Sequence, residues 1–211
     1  MGAYQAVIFD LGGVVFPSPF EAFDAYDHGN ELKKGTMRAL IRKSSETGAW
    51  AALERGELSM DEFVLALEEE ALAAGFPLDA RRLMGLIGSS LGPRAEMTVA
   101  IERIRAAGLR TAALTNNWND ERTRSSPRGL HETGLFDVIV ESAVEGLRKP
   151  DPRIYTLALA RLNVLASQTV FLDDLGMNLK PAREMGMATI KVVDPDNALA
   201  ELEDLLGIAL R

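Results

Sequence analysis

The order of apolar and polar residues predicts two kinds of segment along this chain. Near its beginning, the unbroken apolar run Ala6–Phe9 leads directly to Asp10, and Gly12 and Gly13 follow. An apolar run without alternation is typical of a strand that is buried on both faces in a parallel sheet. A carboxylate at the end of such a strand lies where open α/β sheets bind ligands, although an aspartate there can also simply cap a turn. The two glycines allow a tight turn and a close approach of the backbone to a ligand.

The segment that follows has the spacing of helices instead. From Phe20 to about Ser90, apolar residues recur at intervals of three and four, and no strand is predicted. Ser59 and Glu62 form a capping box, which predicts that a helix begins there. We predict that this block is a separate helical bundle inserted directly after the first strand. The predicted domains are a core, residues 1–16 and 92–211, and the inserted helical bundle, residues 17–91.

From Pro93 onward, helical and strand patterns alternate along the chain. The predicted helices cover residues 93–107, 152–162, 175–185 and 198–206, and the predicted strands cover residues 109–115, 136–140, 169–172 and 188–192. On the first of these helices, Val99, Ile101 and Ile104 are expected to face the core. Alternation of this kind predicts a parallel sheet with helices on both faces and right-handed crossovers. The expected fold class is therefore α/β, a Rossmann-like parallel sheet with helices on both faces and an inserted helical bundle.

The composition narrows the range of functions. The chain has 211 residues, of which 47% are hydrophobic and 26% are charged, so it can form a packed globular core. Its net charge of −8 argues against nucleic acid or an anionic membrane as the main partner. It contains no cysteine, which excludes disulfides, thiolate metal sites and cysteine nucleophiles. No apolar run reaches the roughly 18 residues of a spanning helix and no signal-like segment is found, so we expect a cytoplasmic protein.

Polar residues follow the ends of several predicted strands. These residues are Asp10, Thr115, Asn116, Lys149, Asp173 and Asp174. Because the carboxyl ends of parallel strands share one edge of a sheet, we expect these side chains to converge. An aspartate can act as a nucleophile, hydroxyl and backbone amide groups can hold oxyanions, and a lysine adds positive charge beside them. A pair of aspartates can hold Mg²⁺, and the cation and the lysine offset the cost of clustering carboxylates.

Each of these residues also has an ordinary structural interpretation. Thr115 and Asn116 could begin a turn, and Lys149 could lie in a solvated loop. Asp173 could cap the next helix, and Asp174 could interact with its N-terminal dipole. The six residues form four groups, which are Asp10, Thr115 with Asn116, Lys149, and Asp173 with Asp174. Because each group comes after a predicted strand, their order along the chain favours a shared catalytic site.

Four short motifs in this order resemble those of the haloacid dehalogenase (HAD) superfamily. They are Phe-Asp-Leu-Gly-Gly-Val at 9–14, Leu-Thr-Asn-Asn at 114–117, Arg-Lys-Pro-Asp at 148–151 and Phe-Leu-Asp-Asp at 171–174. The segment 54–63 is similar to a common sequence of the helical caps that some members insert after the first motif, so the resemblance implies that the inserted helical bundle, residues 17–91, is such a cap domain. Segments 138–142 and 172–180 also resemble the phosphatase-like domain that precedes the hydrolase domain of soluble epoxide hydrolase, and domains that precede acyl-CoA dehydrogenase domains. The resemblance covers essentially the whole chain.

The resemblance implies a phosphohydrolase in which Asp10 forms an aspartyl-phosphate intermediate with the help of Thr115 and Lys149. The other implied roles fall into three groups. The residues implied to bind the phosphate group are Gly12, Gly13, Asn116 and Lys149. Those implied to hold Mg²⁺ are Asp10, the Gly12 backbone carbonyl and Asp174, and those implied to support the site are Asp173 and Asn178. The implied substrate is a small phosphorylated molecule, and we expect a monomer or a homodimer.

One position departs from the family pattern. Most phosphatases of this family carry a second aspartate two residues after the nucleophile, where this chain has Gly12. That aspartate acts as general acid and base, and such catalysis contributes about 10²–10⁴-fold in rate. His28 in the predicted cap is a candidate replacement. Without an acid at this position, we expect a preference for phosphate esters whose leaving groups have a low pKa.

Gly12 also keeps other functions open. The chain could be a catalytically weak member of the family that binds a phosphorylated ligand or a partner protein. Haloacid dehalogenases usually place tyrosine at this position and need no metal, so a dehalogenase is less favoured. Phosphonate hydrolases of the family place alanine there and use a cap lysine to form a Schiff base, for which Lys33, Lys34 and Lys43 are candidates.

Overall fold

The computed structural model describes residues 4–43, 46–88, 92–118 and 134–211. Its centre is a five-stranded sheet in which every strand is parallel to its neighbours, in the order β3-β2-β1-β4-β5. The first strand of the sequence thus lies in the middle of the sheet, as its unbroken apolar run predicts. The strands are β1 (Ala6–Phe9), β2 (Arg110–Thr115), β3 (Val138–Glu141), β4 (Thr169–Asp173) and β5 (Ala188–Lys191). The predicted α/β fold with a parallel sheet is confirmed.

Helices flank the sheet and also form a group of their own after β1. In chain order they are α1 (Pro19–Gly29), α2 (Thr36–Lys43), α3 (Ala49–Glu54), α4 (Met60–Ala73), α5 (Ala80–Gly88), α6 (Ala95–Ala106), α7 (Ser142–Glu145), α8 (Pro152–Leu162), α9 (Gly176–Glu184) and α10 (Pro195–Leu206). Within the described ranges, no helix is both long enough and apolar enough to cross a membrane.

Three predicted boundaries differ from the structure by two or three residues, and one of them is the start of α6, which lies at Ala95 rather than at residue 93. Helix α10 begins at Pro195 rather than at residue 198, because Asp194 caps it and proline suits the first helical turn. Strand β3 begins at Val138 rather than at residue 136. Phe136 is buried, but it packs its ring against Phe9 at a centroid distance of 6.2 Å before the chain joins the ladder.

The alternation of side chains along each strand divides the core into two layers. On β1, Val7 and Phe9 point to one face of the sheet, and Ala6 and Ile8 point to the other. Helices α6 and α10 cover the first face, while α8 and α9 cover the second. Because both faces are covered, the strand is apolar at every position.

Helix α6 corrects one predicted detail. Its buried face is formed by Met97, Ala100, Ile101 and Ile104, whereas Val99 is 40% exposed. The buried positions are spaced by three and four residues and share one side of the helix, from which residue 99 is turned away. The prediction that Val99 faces the core is therefore wrong.

The helices α1 to α5 pack on one another around a separate hydrophobic cluster. Trp50 makes edge-on ring contacts with Phe23, Phe63 and Trp118 at centroid distances of 5.3, 5.7 and 5.9 Å. Trp118 comes from the loop after β2, so this cluster also touches the edge of the sheet that carries the polar residues. Contacts of this geometry add to the free energy gained from burial of the rings.

The capping box predicted at Ser59 and Glu62 is present at the beginning of α4. The N–H of Ser59 donates to Oε2 of Glu62 at 2.8 Å, and the N–H of Glu62 donates to the Ser59 hydroxyl at 3.3 Å. The predicted end of the cap at residue 91 lies outside the described residues. The division of the chain into a core and a cap domain stays a prediction.

Candidate active site

Asp10 lies at the carboxyl end of β1, the central strand. Its backbone N–H donates to the carbonyl of Leu172 at 2.9 Å, so the residue continues the ladder between β1 and β4. Its Oδ1 accepts from the N–H of Leu11 at 2.7 Å and lies 2.8 Å from Nζ of Lys149. The carboxylate that the sequence predicts as a nucleophile is therefore fixed by the strand and by two hydrogen-bond donors.

Lys149 is the central cation of this site and is almost fully buried, with 1% of the residue exposed. Its Nζ lies 2.8 Å from Oδ1 of Asp10 and 2.8 Å from Oδ2 of Asp173, so it bridges two carboxylates. Burial by itself lowers the pKa of this lysine, but the two carboxylates outweigh burial and raise the pKa above its usual value. The ammonium group therefore keeps its charge at neutral pH.

Three aspartates, Asp10, Asp173 and Asp174, bring carboxylate oxygens within 4.8 Å of one another. Burial raises the pKa of Asp10 well above its usual value; Lys149 opposes this shift, and the other two aspartates add to it. Burial and the charge of Asp173 raise the pKa of Asp174 to about 6. Because three carboxylates share one lysine, a second cation would relieve the remaining repulsion. The donors are hard oxygen atoms, which Mg²⁺ prefers, so the residues present fit that ion.

The adjacent aspartates of the last motif differ in how far their oxygens are already used. Asp173 is fully buried and accepts from Lys149 Nζ, from one backbone N–H at 2.8 Å, and from Nδ2 of Asn178, which lies 3.1 Å from both oxygens. In the part of the chain that the structure describes, the Asp174 carboxylate makes one side-chain hydrogen bond, with the Ser18 hydroxyl at 3.5 Å. Asp174 thus has oxygens left for a metal, whereas those of Asp173 are engaged in holding the lysine.

Tyr155 on α8 supports this network and was not identified from the sequence. Its hydroxyl donates to the carbonyl of Asn178 at 2.8 Å, and its ring contacts Phe171 edge-on at 5.6 Å. In the sequence, Tyr155 has the spacing of an ordinary core residue of an amphipathic helix, and only the contact shows its polar role.

Gly13 lets the backbone pass close beside Asp174. Its φ is +82°, and a Cβ atom at this position would lie 2.3 Å from Oδ2 of Asp174, so any side chain here would displace that carboxylate. Gly12 has an ordinary φ, and a Cβ atom there would meet Cδ of Pro19 at 3.3 Å, a tight contact. The close approach expected from the two glycines is found at Gly13, while their contact with a phosphate group stays a prediction.

Thr115 and Asn116 lie at the end of β2, beside the loop that carries Lys149. Thr115 is buried, and its hydroxyl lies 3.4 Å from the carbonyl of Asn116. Oδ1 of Asn116 accepts from the N–H of Lys149 at 2.9 Å, and Nδ2 donates to the Lys149 carbonyl at 3.1 Å. The Asn116 side chain thus fixes the lysine loop. Contact of either residue with a phosphate group stays a prediction.

A cavity of about 380 Å³ lies between this edge of the sheet and the helices that follow β1. On the sheet side it is lined by Asp10, Gly12, Lys149 and Asp174. The helical block contributes mostly apolar residues, Pro19, Phe20, Phe23, Ile41, Trp50 and Ala51, together with the charged residues Arg38, Arg42 and Glu54. Trp118 from the loop after β2 and Met177 from α9 add further apolar surface. The sequence did not identify these walls, because helical spacing marks buried positions without telling whether they face a core or a cavity.

The four cap residues that the sequence offered as catalytic candidates do not line this cavity. They are His28, Lys33, Lys34 and Lys43, and all four are exposed. His28 and Lys34 line a different pocket instead. In this structure, His28 is therefore not placed to protonate a leaving group beside Asp10, and these lysines are not placed to form a Schiff base with a molecule in the cavity.

The family model of the haloacid dehalogenase-like hydrolases matches residues 4–186. The chain belongs to this family of hydrolases, which confirms the resemblance that the motifs indicate.

Curated relatives are similar over almost the whole chain. Acyl-CoA dehydrogenase family member 10 of Mus musculus is 40% identical over 99% of the chain and 20% of that protein. Bifunctional epoxide hydrolase 2 of Sus scrofa is 34% identical over 99% of the chain and 40% of that protein, so the chain spans only a fifth to two fifths of these two relatives. Sesquiterpene phosphatase astK of Aspergillus oryzae is 32% identical, and the match covers 97% of both chains.

Solved structures share the fold at lower identity. A predicted HAD-like family hydrolase from Porphyromonas gingivalis has a TM-score of 0.65 at 22% identity, over 97% of this chain and 98% of that one. The HAD family enzyme bt-2542 of Bacteroides thetaiotaomicron, in complex with magnesium and inorganic phosphate, has a TM-score of 0.61 at 18% identity, over 89% of this chain and 93% of that one. These likenesses show that the chain has the same fold.

Proposed function

We propose that this chain is a Mg²⁺-dependent phosphatase that hydrolyses phosphate monoesters through an aspartyl-phosphate intermediate at Asp10. The observation that carries the proposal is the pairing of Asp10 with the buried Lys149, at 2.8 Å, within a cluster of three aspartates. A buried, charged lysine beside a carboxylate can hold an anionic phosphoryl group next to the nucleophile. The phosphatase activity named for astK, a relative of nearly the same extent, supports the same reaction.

In the proposed reaction, a carboxylate oxygen of Asp10 attacks the phosphorus atom, and the bond between phosphorus and the ester oxygen breaks. The leaving group keeps the bonding electron pair and later gains a proton. A water molecule then attacks the phosphorus atom of the aspartyl phosphate, which releases inorganic phosphate and restores the carboxylate. Charge on the phosphoryl oxygens is stabilised by donors at the edge of the sheet. The residues proposed as these donors are Gly12, Thr115, Asn116 and Lys149. Gly13 is less suited, because its N–H already donates to the carbonyl of Phe16 at 2.9 Å.

Mg²⁺ is the proposed cofactor, and its ligands would be Asp10, the Gly12 carbonyl and Asp174. Asp174 suits this role because its carboxylate is little used by other side chains, with one side-chain hydrogen bond, at 3.5 Å, among the described residues. When bound, the ion supplies positive charge that neutralises carboxylate and phosphate oxygens. Asp173 and Asn178 would keep Lys149 in place. The magnesium bound to bt-2542 supports this proposal.

The cavity supports a substrate whose organic part is apolar. Its walls carry aromatic and aliphatic side chains such as Phe20, Ile41 and Trp118, and binding pockets lined in this way bury apolar groups. The phosphate group would lie at the polar end, beside Lys149. The residues 17–91, proposed as the cap domain, would then determine which phosphate esters are accepted.

Gly12 further limits the proposed substrates. Because this residue offers no carboxylic acid, a departing oxygen is not easily protonated, and leaving groups with a low pKa need little such help. We therefore expect acyl, enol, aryl or sugar-anomeric phosphates to react faster than simple alkyl phosphates. The cytoplasmic location and the monomeric or dimeric state stay predictions.

The same glycine favours a second candidate function. A family member without the general acid could bind a phosphorylated ligand or a phosphorylated partner protein and hydrolyse it very slowly. Such a protein would still bind inorganic phosphate at Lys149 when Mg²⁺ is present. The two functions differ in turnover and not in binding.

A phosphatase assay with a broad panel of phosphate esters separates these functions. The wild type should hydrolyse at least one aryl or acyl phosphate with Mg²⁺ and lose this activity with a chelator, and Ca²⁺ should support turnover poorly. Asp10→Asn, which keeps the shape of the side chain, should be folded and inactive. Phosphate binding without turnover in the wild type would favour the binding function, and full activity in the Asp10→Asn variant would exclude Asp10 as the nucleophile.

A further inference from the structure

A carboxylate of the helical block reaches the loop that carries Lys149. Glu54, the last residue of α3, is 7% exposed and lines the active-site cavity. Its Oε2 accepts from Nε and Nη2 of Arg148 at 2.7 and 2.6 Å and from Nδ2 of Asn116 at 3.3 Å. Its Oε1 accepts from the indole N–H of Trp50 at 2.9 Å. One carboxylate thus joins the aromatic cluster of the helical block to two residues beside the lysine.

The partners of Glu54 are the groups that fix the backbone of Lys149. Arg148 precedes the lysine directly in the chain, and Asn116 hydrogen bonds to both the N–H and the carbonyl of Lys149. Nδ2 of Asn116 points to Glu54 and to that carbonyl, so the carboxylate also fixes the orientation of the amide. Through these bonds, Glu54 contacts the residues that hold the backbone of Lys149, and the side chain of Lys149 reaches Asp10.

The chain segment that presents Glu54 is itself held against the core. Gly56 has a φ of +68°, and a Cβ atom at this residue would lie 2.4 Å from the carbonyl oxygen of Ala143 at α7. Only a residue without a side chain permits this approach of the two backbones. The contact leaves the end of α3 little freedom to move away from the lysine loop.

We propose that Glu54 is a positioning residue for Lys149. It acts through Arg148 and Asn116, and it does not touch the reacting atoms. The inference rests on the proposed phosphatase function in one respect, that Lys149 acts on the phosphoryl group. Oε2 of Glu54 accepts from Arg148 and Asn116, and its Oε1 accepts from Trp50, so both oxygens are engaged by protein donors. Glu54 is therefore not proposed as the group that supplies the proton that Gly12 cannot supply.

The loop that follows α3 offers a matched control for Glu54. Arg55 and Glu57 form an ion pair at 2.6 Å, but the Glu57 side chain is 52% exposed and does not line the cavity. Exposed pairs of this kind contribute little to stability, whereas removal of one partner from a buried pair has a large cost. Glu57→Gln therefore removes a carboxylate three residues from Glu54 without disturbing the lysine loop.

Glu54→Gln and Glu57→Gln are compared in the full chain by two measurements. The first is kcat and KM with Mg²⁺ on a series of aryl phosphates, and the second is the exchange rate of the Lys149 backbone amide by NMR. Glu54→Gln should lower kcat by about 10- to 100-fold, the range seen when supporting residues of an active site are removed. It should speed exchange of the Lys149 amide by about fivefold, the effect of weakening one hydrogen bond, while amides in the middle of the sheet are unchanged.

Glu57→Gln should change neither kcat nor the exchange rate of the Lys149 amide. Unchanged Lys149 exchange in Glu54→Gln would overturn the inference, whatever happens to kcat. A steeper dependence of the rate on leaving-group pKa would also overturn it, because Glu54 would then be the proton donor. If the wild type hydrolyses no phosphate ester, the proposed function fails, and the amide exchange still decides whether Glu54 positions the lysine.

If Glu54→Gln does not fold, Arg148→Lys is the second variant. It keeps the charge and one donor, and it should show a smaller fall in kcat and a smaller increase in the exchange rate of the Lys149 amide.

Discussion

The two sides of the active-site cavity are built on different principles. On the sheet side, charged groups are paired with one another at hydrogen-bond distance, as Lys149 is with Asp10 and Asp173 at 2.8 Å. On the side of the helical block, most lining residues are apolar, such as Ile41 and Phe20, although Arg38, Arg42 and Glu54 also line the cavity. Hydrogen bonds between charges depend strongly on distance and angle, whereas apolar contact depends mainly on the area buried. The rate of the reaction should therefore be set by the sheet side, together with Glu54, which contacts its lysine loop, and the choice of substrate by the apolar residues of the opposite side.

The largest effect on the sheet side is expected from Lys149→Met. The change keeps most of the side-chain length but removes the charge that would stabilise the phosphoryl oxygens. We expect kcat to fall by about 10²–10³-fold, as when one donor of this kind is removed from an enzyme. Steady-state kinetics at saturating Mg²⁺ measure the effect, and thermal unfolding shows whether the fold persists.

Lys180→Met is the matched control for this change. Lys180 lies on α9 with its side chain 76% exposed, and its partner Glu184 is 3.9 Å away. This variant should retain the wild-type kcat. If the two variants lose similar activity, the buried lysine has no special role, and the contrast between the two sides of the cavity does not hold.

Gly12→Asp adds to the sheet side the acid that it lacks. Rates on alkyl phosphates should rise by about 10²-fold, and the dependence of the rate on leaving-group pKa should become shallower. The ordinary φ of Gly12 accepts a side chain, although its Cβ must fit against Pro19 at 3.3 Å. Gly12→Asn has the same shape without the acid and should gain nothing. A wild type that hydrolyses alkyl and aryl phosphates equally would mean that another residue already supplies the proton.

The sheet side was also the part that the sequence could predict. The strand β1 and the residues Asp10 and Asp173 follow from unbroken apolar runs that end in polar residues, because strand ends of a parallel sheet must meet at one edge. Lys149 lies in the loop after α7, and the sequence predicted it from its place after the third strand and from the motif at 148–151. The opposite side was not predictable in the same way. The contact of Glu54 with Arg148 joins positions 94 residues apart. The sequence places the two residues in separate motifs, at 54–63 and 148–151, but gives no sign that they meet.

Helical periodicity has a related limit. It correctly predicted helices after β1, but it could not show that Ile41 and Phe20 line a cavity while Phe63 fills a core. It also placed Val99 on the wrong side of α6, because an apolar residue was taken as a buried one. Positions on a helix are resolved only when the neighbouring elements are known.

On the side of the helical block, Ile41→Ala should change selectivity and leave the chemistry intact. We expect kcat/KM for phosphate esters with a large apolar group to fall by about tenfold, the value of a few lost methylene contacts. The value for a small substrate such as acetyl phosphate should be unchanged. Leu65→Ala, at a residue on α4 that is 65% exposed, is the control. Equal losses on both substrates would show that this wall also affects the rate.

The smallest expected effect concerns the metal and the pH. At about one hundred times its Kd, Mg²⁺ should raise the Tm of the wild type by about 5 to 10 °C. Burial and Asp173 raise the pKa of Asp174 to about 6, so protons compete with the metal. The rise in Tm should therefore shrink as the pH falls from 7 to 5. Asp174→Asn should abolish the rise in Tm that Mg²⁺ causes. Asp173→Asn should lower Tm but keep that rise.

The metal-free protein should show the opposite dependence on pH. The folded state binds the Asp174 proton more tightly than the unfolded chain does, because its pKa is raised from the usual value. The stability that this proton contributes is present at low pH and is lost as the pH rises through about 6. Thermal unfolding in a chelator checks this, since the dependence of stability on pH should be weaker in Asp174→Asn.

Equal effects of Asp173→Asn and Asp174→Asn on the rise in Tm that Mg²⁺ causes would mean that the metal ligand is wrongly assigned.

The identity of the phosphorylated residue tests the proposed nucleophile most directly. The protein is mixed with Mg²⁺ and acetyl phosphate, quenched in acid during turnover, digested and analysed by peptide mass spectrometry, with Asp10→Asn treated in parallel. We predict a phosphate group on Asp10 in the wild type and none in the variant. A phosphate group on another residue, or hydrolysis in the wild type without any covalent phosphate at Asp10, would contradict the proposed reaction.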